Sequence, residues 1–353
     1  MAQVAPASDV ETTIYLIGDA GAPDLDREPV FEALANDAAN IRDTAVIVFL
    51  GDNVYPRGLP APDGEDREEG ERRLRMQVNA VIAGNARGIF IPGNHDWDFA
   101  GEGRRESLLR AEMFGESIGN GRVEFIPANG CPGPETVDVG RHLRLVLMDT
   151  QWWLFENPVE DVPAGCASRS KERILDALRS AVQSGGRRHV IVAGHHPIVT
   201  HGPHGGYFTA RQHIFPLRDK FRWAWIPLPL IGSIYPMARR LGISDQDVFH
   251  RRYQEMTTAL NAIFREKPPL AYAAGHEHSL QLITGIGARY QIVSGTGNYG
   301  HLSPVAHGAD TLFAASRSGY VRLQIQQDAR VRLGMIFVAE NGDYREAYSI
   351  YLE

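Results

Sequence analysis

Lysine is nearly missing from this chain. It stands only at 171, 220 and 267, so arginine carries almost all of the positive charge, a bias read mainly as genomic composition. No basic surplus exists either: the net charge is −7, which argues against nucleic acid as a partner, because phosphate backbones select basic surfaces. No uninterrupted apolar run is long enough to cross a bilayer. The opening MAQVAPASDVET lacks the basic head and apolar centre of a signal peptide, although AQVAPAS reads like the small, polar start of a mature exported chain. Cysteine is scarce, with only Cys131 and Cys166, both in Gly/Pro-rich loops (NGCPGPE and PAGCASR). These are either two unrelated thiols or a bridge, and a bridge implies an oxidising compartment. The expected location is periplasmic or secreted, with cytoplasmic as the alternative. What remains, 43% hydrophobic and 22% charged over 353 residues, fits a globular protein with a sizeable core and argues against disorder.

The chain does have short, continuous apolar runs that end in glycine and then in polar side chains. TIYLIGDAG ends at Gly18-Asp19, AVIVFLGDNVY at Gly51-Asp52-Asn53, and GIFIPGNHD at Gly93-Asn94-His95-Asp96. HVIVAGHHP ends at Gly194-His195-His196 and LAYAAGHEH at Gly275-His276-Glu277-His278. A continuous rather than alternating apolar run reads as a strand buried on both faces. Helical spacing lies between several of these runs: 28–41, 66–83, 170–185 with Ser170 as N-cap, and 244–266 with Ser244 and Asp247 as a capping pair. Strands alternating with helices predict an α/β fold, in which loops at the carboxyl ends of strands meet in one crevice. All five clusters are expected there, with each glycine letting the backbone turn sharply.

The last third changes character. LQLITGIG, RYQIVSG, GYVRLQIQ, RVRLGMIFV and YREAYSIYLE read as strands of a second, more antiparallel sheet, with 318–353 as its C-terminal strands. One domain over 10–353 is expected, with no internal repeat. Residues 205–250 break the alternation as an insertion or cap near the site. Within them, 215–241 is rich in proline and holds two Trp. That segment suits an irregular cover for the core, or a segment contacting substrate or a membrane surface.

Gathered Asp, Asn and His suit divalent or trivalent metals. Burying so many of them without a cation would cost several kcal/mol per unpaired charge. GDAG, GDNVY, GNHD, VAGH and GHEH, in that order, resemble the motifs of the calcineurin-like metallophosphoesterase superfamily over about Asp19 to His278. The resemblance implies a four-layer α/β/β/α sandwich of two packed mixed sheets, with a binuclear metal site at the strand carboxyl ends. Most of that superfamily has a His two residues after the first Asp. Here the motif is Asp19-Ala20-Gly21, while the second motif gains Tyr55. Loss of that His and gain of a Tyr resemble the purple acid phosphatase-like branch.

Carried over by that resemblance, one metal takes Asp19, Asp52, Tyr55 and His278, and the other takes Asp52, Asn94, His195 and His276. Asp52 would bridge, offering an oxygen to each cation. The phenolate of Tyr55 favours Fe(III) at the first site. The neutral Asn94 suits a divalent ion, Zn, Mn or Fe(II), at the second. His95 resembles the histidine that contacts phosphate and helps the leaving oxygen depart, with Asp96 either orienting it or capping its loop. His204 is the expected second substrate-facing His, with His201 its competitor, and His196 receives no role. The implied reaction is hydrolysis of a small phosphate monoester, a metal-bound hydroxide attacking phosphorus in line. A phosphodiesterase for cyclic nucleotides or lipid headgroups is the alternative.

Three further signals are set aside. Gly295-Thr296-Gly297-Asn298-Tyr299-Gly300 matches a dinucleotide fingerprint, but His301-Leu302-Ser303-Pro304 cannot open the required helix, so it reads as a tight loop beside the crevice. Trp152 and Trp153 read as core or rim packing, and Asp149 as a loop anchor.

Overall fold

The computed structural model describes residues 9–23, 27–41, 44–97, 104–156, 162–218, 225–228 and 231–353. The start of the chain and part of the 215–241 segment, residues 219–224 and 229–230, lie outside them.

The first half runs β1 (Val10–Ile17), α1 (Pro29–Ala39), β2 (Thr44–Phe49), α2 (Arg67–Ala83), β3 (Arg87–Phe90), α3 (Arg104–Ile118), β4 (Val123–Phe125), β5 (Glu135–Val139) and β6 (Leu143–Leu147). Then follow α4 (Gln151–Leu154), α5 (Lys171–Gln183), β7 (His189–Ala193), α6 (Ala210–Ile214), α7 (Ile234–Arg240) and α8 (Arg251–Glu266). The chain closes with β8 (Ala271–Ala274), β9 (Leu280–Thr284), β10 (Tyr290–Ser294), β11 (Thr311–Ala315), β12 (Gly319–Gln326), β13 (Val331–Val338) and β14 (Tyr344–Leu352).

Among the described residues these strands form two seven-stranded mixed sheets, ordered β14-β13-β12-β1-β2-β3-β4 and β11-β9-β10-β8-β7-β6-β5. The continuous apolar runs have a direct cause. Ile14 and Leu16 of β1, Val46 and Val48 of β2, and Ile89 of β3 face the other sheet and meet Leu145, Ile191, Ala271 and Leu282 in one core. The alternate residues Tyr15, Ile47, Phe49 and Phe90 face outward and pack under α1, α2 and α3. On the far side, Val146, Val192 and Tyr272 pack under α5 and α8. Every ligand-bearing strand is thus covered on both faces, and the layers run helix, sheet, sheet, helix.

Two expectations are corrected. The last third does not make a sheet of its own. β9–β11 join β7 and β8, whereas β12–β14 extend the sheet of β1, with β12 antiparallel to β1 from Val10↔Gln326 to Leu16↔Val321. The motif strands are divided in the same way, β1–β3 in one sheet and β7–β8 in the other. The last long helix starts at Arg251, capped by the His250 side chain, and not at 244. Asp247 is no helix cap, because Arg239 and His204 claim its carboxylate. Cys131 and Cys166 are joined as a disulfide with Cα atoms 5.6 Å apart, tying the loop before β5 to the segment before α5.

Candidate metal centre

The strand exits meet where the two sheets come together at one end. The loops are lashed by backbone bonds: Asp19 N–H donates to the Gly51 carbonyl (3.0 Å), Gly21 N–H to Asp52 (2.9 Å), Gly18 N–H across the sheets to Ser294 (2.7 Å), and Gly275 N–H to His195 (3.0 Å). Gly93 is required, since a Cβ there would strike the Asp52 amide and carboxylate. The turns are made partly by the ligands themselves. Asp19 (φ 56°), Asp52 (φ 56°) and His276 (φ 66°) sit in the left-handed region, at a cost of about 1–3 kcal/mol each.

All seven residues expected as ligands are brought together, in two sets. In the first, the Tyr55 hydroxyl lies 3.0 Å from Asp19 Oδ1, 2.9 Å from Asp52 Oδ2 and 3.3 Å from His278 Nε2. In the second, His195 Nε2 lies 3.0 Å from Asn94 Oδ1 and 3.3 Å from Asp52 Oδ2, while His276 Nδ1 lies 3.1 Å from Asn94 Oδ1 and 3.2 Å from His195 Nε2. Asp52 belongs to both. Its Oδ2 faces both sets, whereas Oδ1 accepts from the His95 backbone amide at 2.9 Å.

The donor set fits cations on a test of protons. His195 Nδ1 bonds the Leu50 carbonyl at 2.7 Å, and His276 Nε2 bonds the Gln246 carbonyl at 2.9 Å. A carbonyl only accepts, so each neutral imidazole spends its single N–H there. Two nitrogen lone pairs and the Asn94 oxygen then converge with no hydrogen among them, the arrangement that second-neighbour carbonyls impose on metal-binding histidines. Metal–ligand bonds of roughly 2.0–2.2 Å set neighbouring donors about 3 Å apart, as found here.

The electrostatics agree. Burial, and then the charges of Asp19 and Asp52, push the Tyr55 phenol well above its ordinary value, so only a cation beside it would free the phenolate. Burial alone would lower His195, but the Asp52 carboxylate outweighs it and draws a proton onto the ring, to about 9. Proton and cation therefore compete for the same lone pair.

His95 lines the cleft before these sets, its Nδ1 2.6 Å from the Pro56 carbonyl. Asp96 does not orient it. Its carboxylate accepts from the backbone amides of Asn53 (2.9 Å), Val54 (3.0 Å) and Gly93 (2.8 Å), and so ties the second cluster to the third. Burial, and then the charge of Asp52, raise the Asp96 carboxyl above the usual carboxylate range. His204 also lines the cleft, its ring 4.0 Å from that of His276, whereas His201 is taken by Asp310 at 2.8 Å. His196 is held by Thr150 (2.8 Å) and the Gln246 side chain (2.9 Å). The Gly295–Gly300 loop packs on Asp19, where a Cβ on Gly295 would sit 2.7 Å from its Oδ2. Trp152 and Trp153 are core residues, and Asp149 anchors Trp97 Nε1 at 2.8 Å.

The sequence reading missed what the cap contributes. Gln246 presents its carbonyl to both His276 Nε2 (2.9 Å) and His204 Nδ1 (3.0 Å). Arg239 holds the buried Asp247 in a two-point ion pair, Nε to Oδ2 at 2.6 Å. His301, just past the glycine loop, packs its ring 4.0 Å from that of His278. The cleft bounded by the metal sets, the cap, Phe155 and Arg252 holds about 680 Å³.

A family model described as calcineurin-like phosphoesterase matches residues 12–227, more than half of the chain. Among curated proteins none matches. Solved structures share the fold, among them these two. One is GAP50, the anchor in the inner membrane complex of Plasmodium, at 14% identity and TM-score 0.57, covering 98% of this chain and 89% of that one. The other is the purple acid phosphatase PPD1 from seeds of yellow lupin (Lupinus luteus), at 12% identity and TM-score 0.55 over 99% of this chain. This chain spans about half of the lupin protein, 55% of its length.

Proposed function

The chain belongs to the calcineurin-like phosphoesterase family and so is a metal-dependent phosphoester hydrolase, and we propose that it acts on phosphate monoesters, as an acid-phosphatase-like enzyme with two metals. One observation carries the reading: seven donor side chains in two sets that share Asp52 Oδ2, with a tyrosine hydroxyl in one set only. That asymmetry supports unlike ions. Asp19, Asp52, Tyr55 and His278 form a hard, anionic set suited to Fe(III). Asn94, His195 and His276 add only neutral donors to Asp52, which suits Zn, Mn or Fe(II).

Bound there, the cations supply Lewis acidity to the phosphate oxygens and acidify the attacking water. The chain's own residues do the rest. Asp52 keeps the two sets in fixed register. The Pro56 carbonyl holds the His95 proton on Nδ1, which leaves Nε2 to carry the proton that the departing alkoxide takes. His204, steadied at Nδ1 by Gln246 and Asp247, faces the phosphate from the opposite wall. The disulfide Cys131–Cys166 supports an oxidising, extracytoplasmic location.

Turnover of para-nitrophenyl phosphate and of its bis ester, on protein whose metals have been counted by mass spectrometry, tests this. Higher kcat/KM on the monoester with two ions per chain, one of them iron, is expected. Preference for the bis ester would transfer the chain to the diesterases, and two identical divalent ions would remove the iron assignment.

A further inference from the structure

The cap wears its apolar side outward. Residues 231–240 are continuously helical, a short 3₁₀ turn running into α7. Ile231, Ile234, Met237 and Leu241 recur at steps of three or four residues along one face, and are 61%, 63%, 59% and 77% exposed. Gly232 and Pro236, on the opposite face, are the buried ones. A helix on a soluble surface normally does the reverse. Single exposed leucines need no explanation, but an apolar face of this kind marks a contact surface.

A groove leads from that helix to the metal centre. Phe208, Pro216, Pro236, Leu302 and Pro304 wall a space of about 730 Å³ beneath the cap. Its inner end is Tyr235, Arg239 and His278, which also line the cleft before the metal sets. The apolar groove and the polar cleft therefore meet at a candidate ligand. Residues 205–250 hold six Lys and Arg against three Asp, a basic segment in a chain of net charge −7. An exposed apolar face in a segment with a surplus of positive charge suits an anionic lipid surface.

We propose that the ester hydrolysed here is amphiphilic. Its phosphate lies at the metal centre, its hydrocarbon part lies in the groove walled by Phe208, Pro236 and Leu302, and the outward face of α7 rests on the anionic membrane that supplies it. This rests on the phosphoesterase reading above. Water adds its oxygen to phosphorus and the phosphorus–oxygen bond to the lipid alcohol breaks. The alcohol keeps a proton from His95, one proton of the water stays on the inorganic phosphate that leaves, and the other restores the His95 ring.

The test uses the full chain with its metals. Phosphatidylcholine vesicles, with and without a minor fraction of phosphatidylglycerol, measure binding by sedimentation. Dodecyl phosphate, ethyl phosphate and para-nitrophenyl phosphate measure turnover. Binding to the anionic vesicles is expected, with kcat/KM on dodecyl phosphate about tenfold or more above ethyl phosphate. The variant I231E/I234E/L241E changes only exposed side chains. It should lose the vesicle binding, and it should turn over para-nitrophenyl phosphate unchanged, which also shows that it folds. Absence of vesicle binding, vesicle binding kept by the variant, or equal kcat/KM on the two alkyl phosphates would overturn the proposal. A wild-type dimer that the variant dissolves, with no vesicle binding, would also overturn it by giving the face to a second copy of the chain. Vesicle binding with no turnover of any ester would instead defeat the phosphoesterase reading, so the two failures are distinguishable.

Discussion

The strand-exit loops and the cap that faces them close the same cleft by opposite means. The loops hold Asp19, Asp52, Asn94, His195 and His276 on backbones that are buried, bonded to one another and partly left-handed. The cap consists of short helical pieces with an exposed apolar face, docked at a few points: the Gln246 carbonyl on His276 and His204, and the Arg239–Asp247 pair. A rigid scaffold fixes where charge is handled, and an inserted segment decides what is admitted to it. Variants in the loops should therefore change metal content and kcat, and variants at the cap's contacts with the cleft should change KM.

The hardest blow to the scaffold is Asp52→Ala. It should empty both sets and lower turnover by about 10³-fold or more, and retention of two ions per chain by mass spectrometry would contradict the shared carboxylate. Next is His95→Ala, expected to cost about 10²-fold in kcat with metal content unchanged; an unaltered kcat would remove it from the chemistry. Asp247→Ala leaves Arg239 without its two-point partner and loosens His204, so KM should rise about tenfold with both metals retained. Metal lost from that variant would break the comparison, by making the cap part of the scaffold. Tyr55→Phe should bleach the visible absorption of a tyrosinate–iron pair and cost no more than about tenfold in activity. A colourless wild type would refute iron.

The smallest effect is expected at Asp149→Asn. Burial raises the Asp149 carboxyl to about 7 in the fold, above its unfolded value of roughly 3.9. The folded chain then binds the extra proton, and wild-type stability falls as pH rises from about 4 to about 7. The Tm difference between variant and wild type, read by calorimetry at several pH values, should shift in favour of Asn across that window.

The candidate site was legible because its signal is local. Each donor lies within four residues after a glycine that ends a continuous apolar run, and such runs occur where a strand is covered on both faces, as Tyr15 and Leu16 show. What stayed hidden depends on distant partners. Ser244 and Asp247 carry a helix-start pattern, yet Arg239 and His204 bind Asp247 more strongly than free amides would, and the helix begins at Arg251. Asp96 stands beside His95 in sequence but faces Asn53 and Val54. His201 and His204 look alike in a glycine-rich stretch, and only Asp310, over a hundred residues on, separates them. Several of the late strand sequences alternate apolar and polar residues, and nothing in that pattern says which sheet they extend.

The pairing of β1 with β12 has a consequence for biogenesis. β1 is bordered by residues 44–49 on one edge and by 319–326 on the other. The scaffold that positions Asp19 is therefore incomplete while the chain is still emerging from the ribosome, and its closure is a late, long-range step. The donor set that contains Asp19 is then held from both sides only after residues 319–326 have paired.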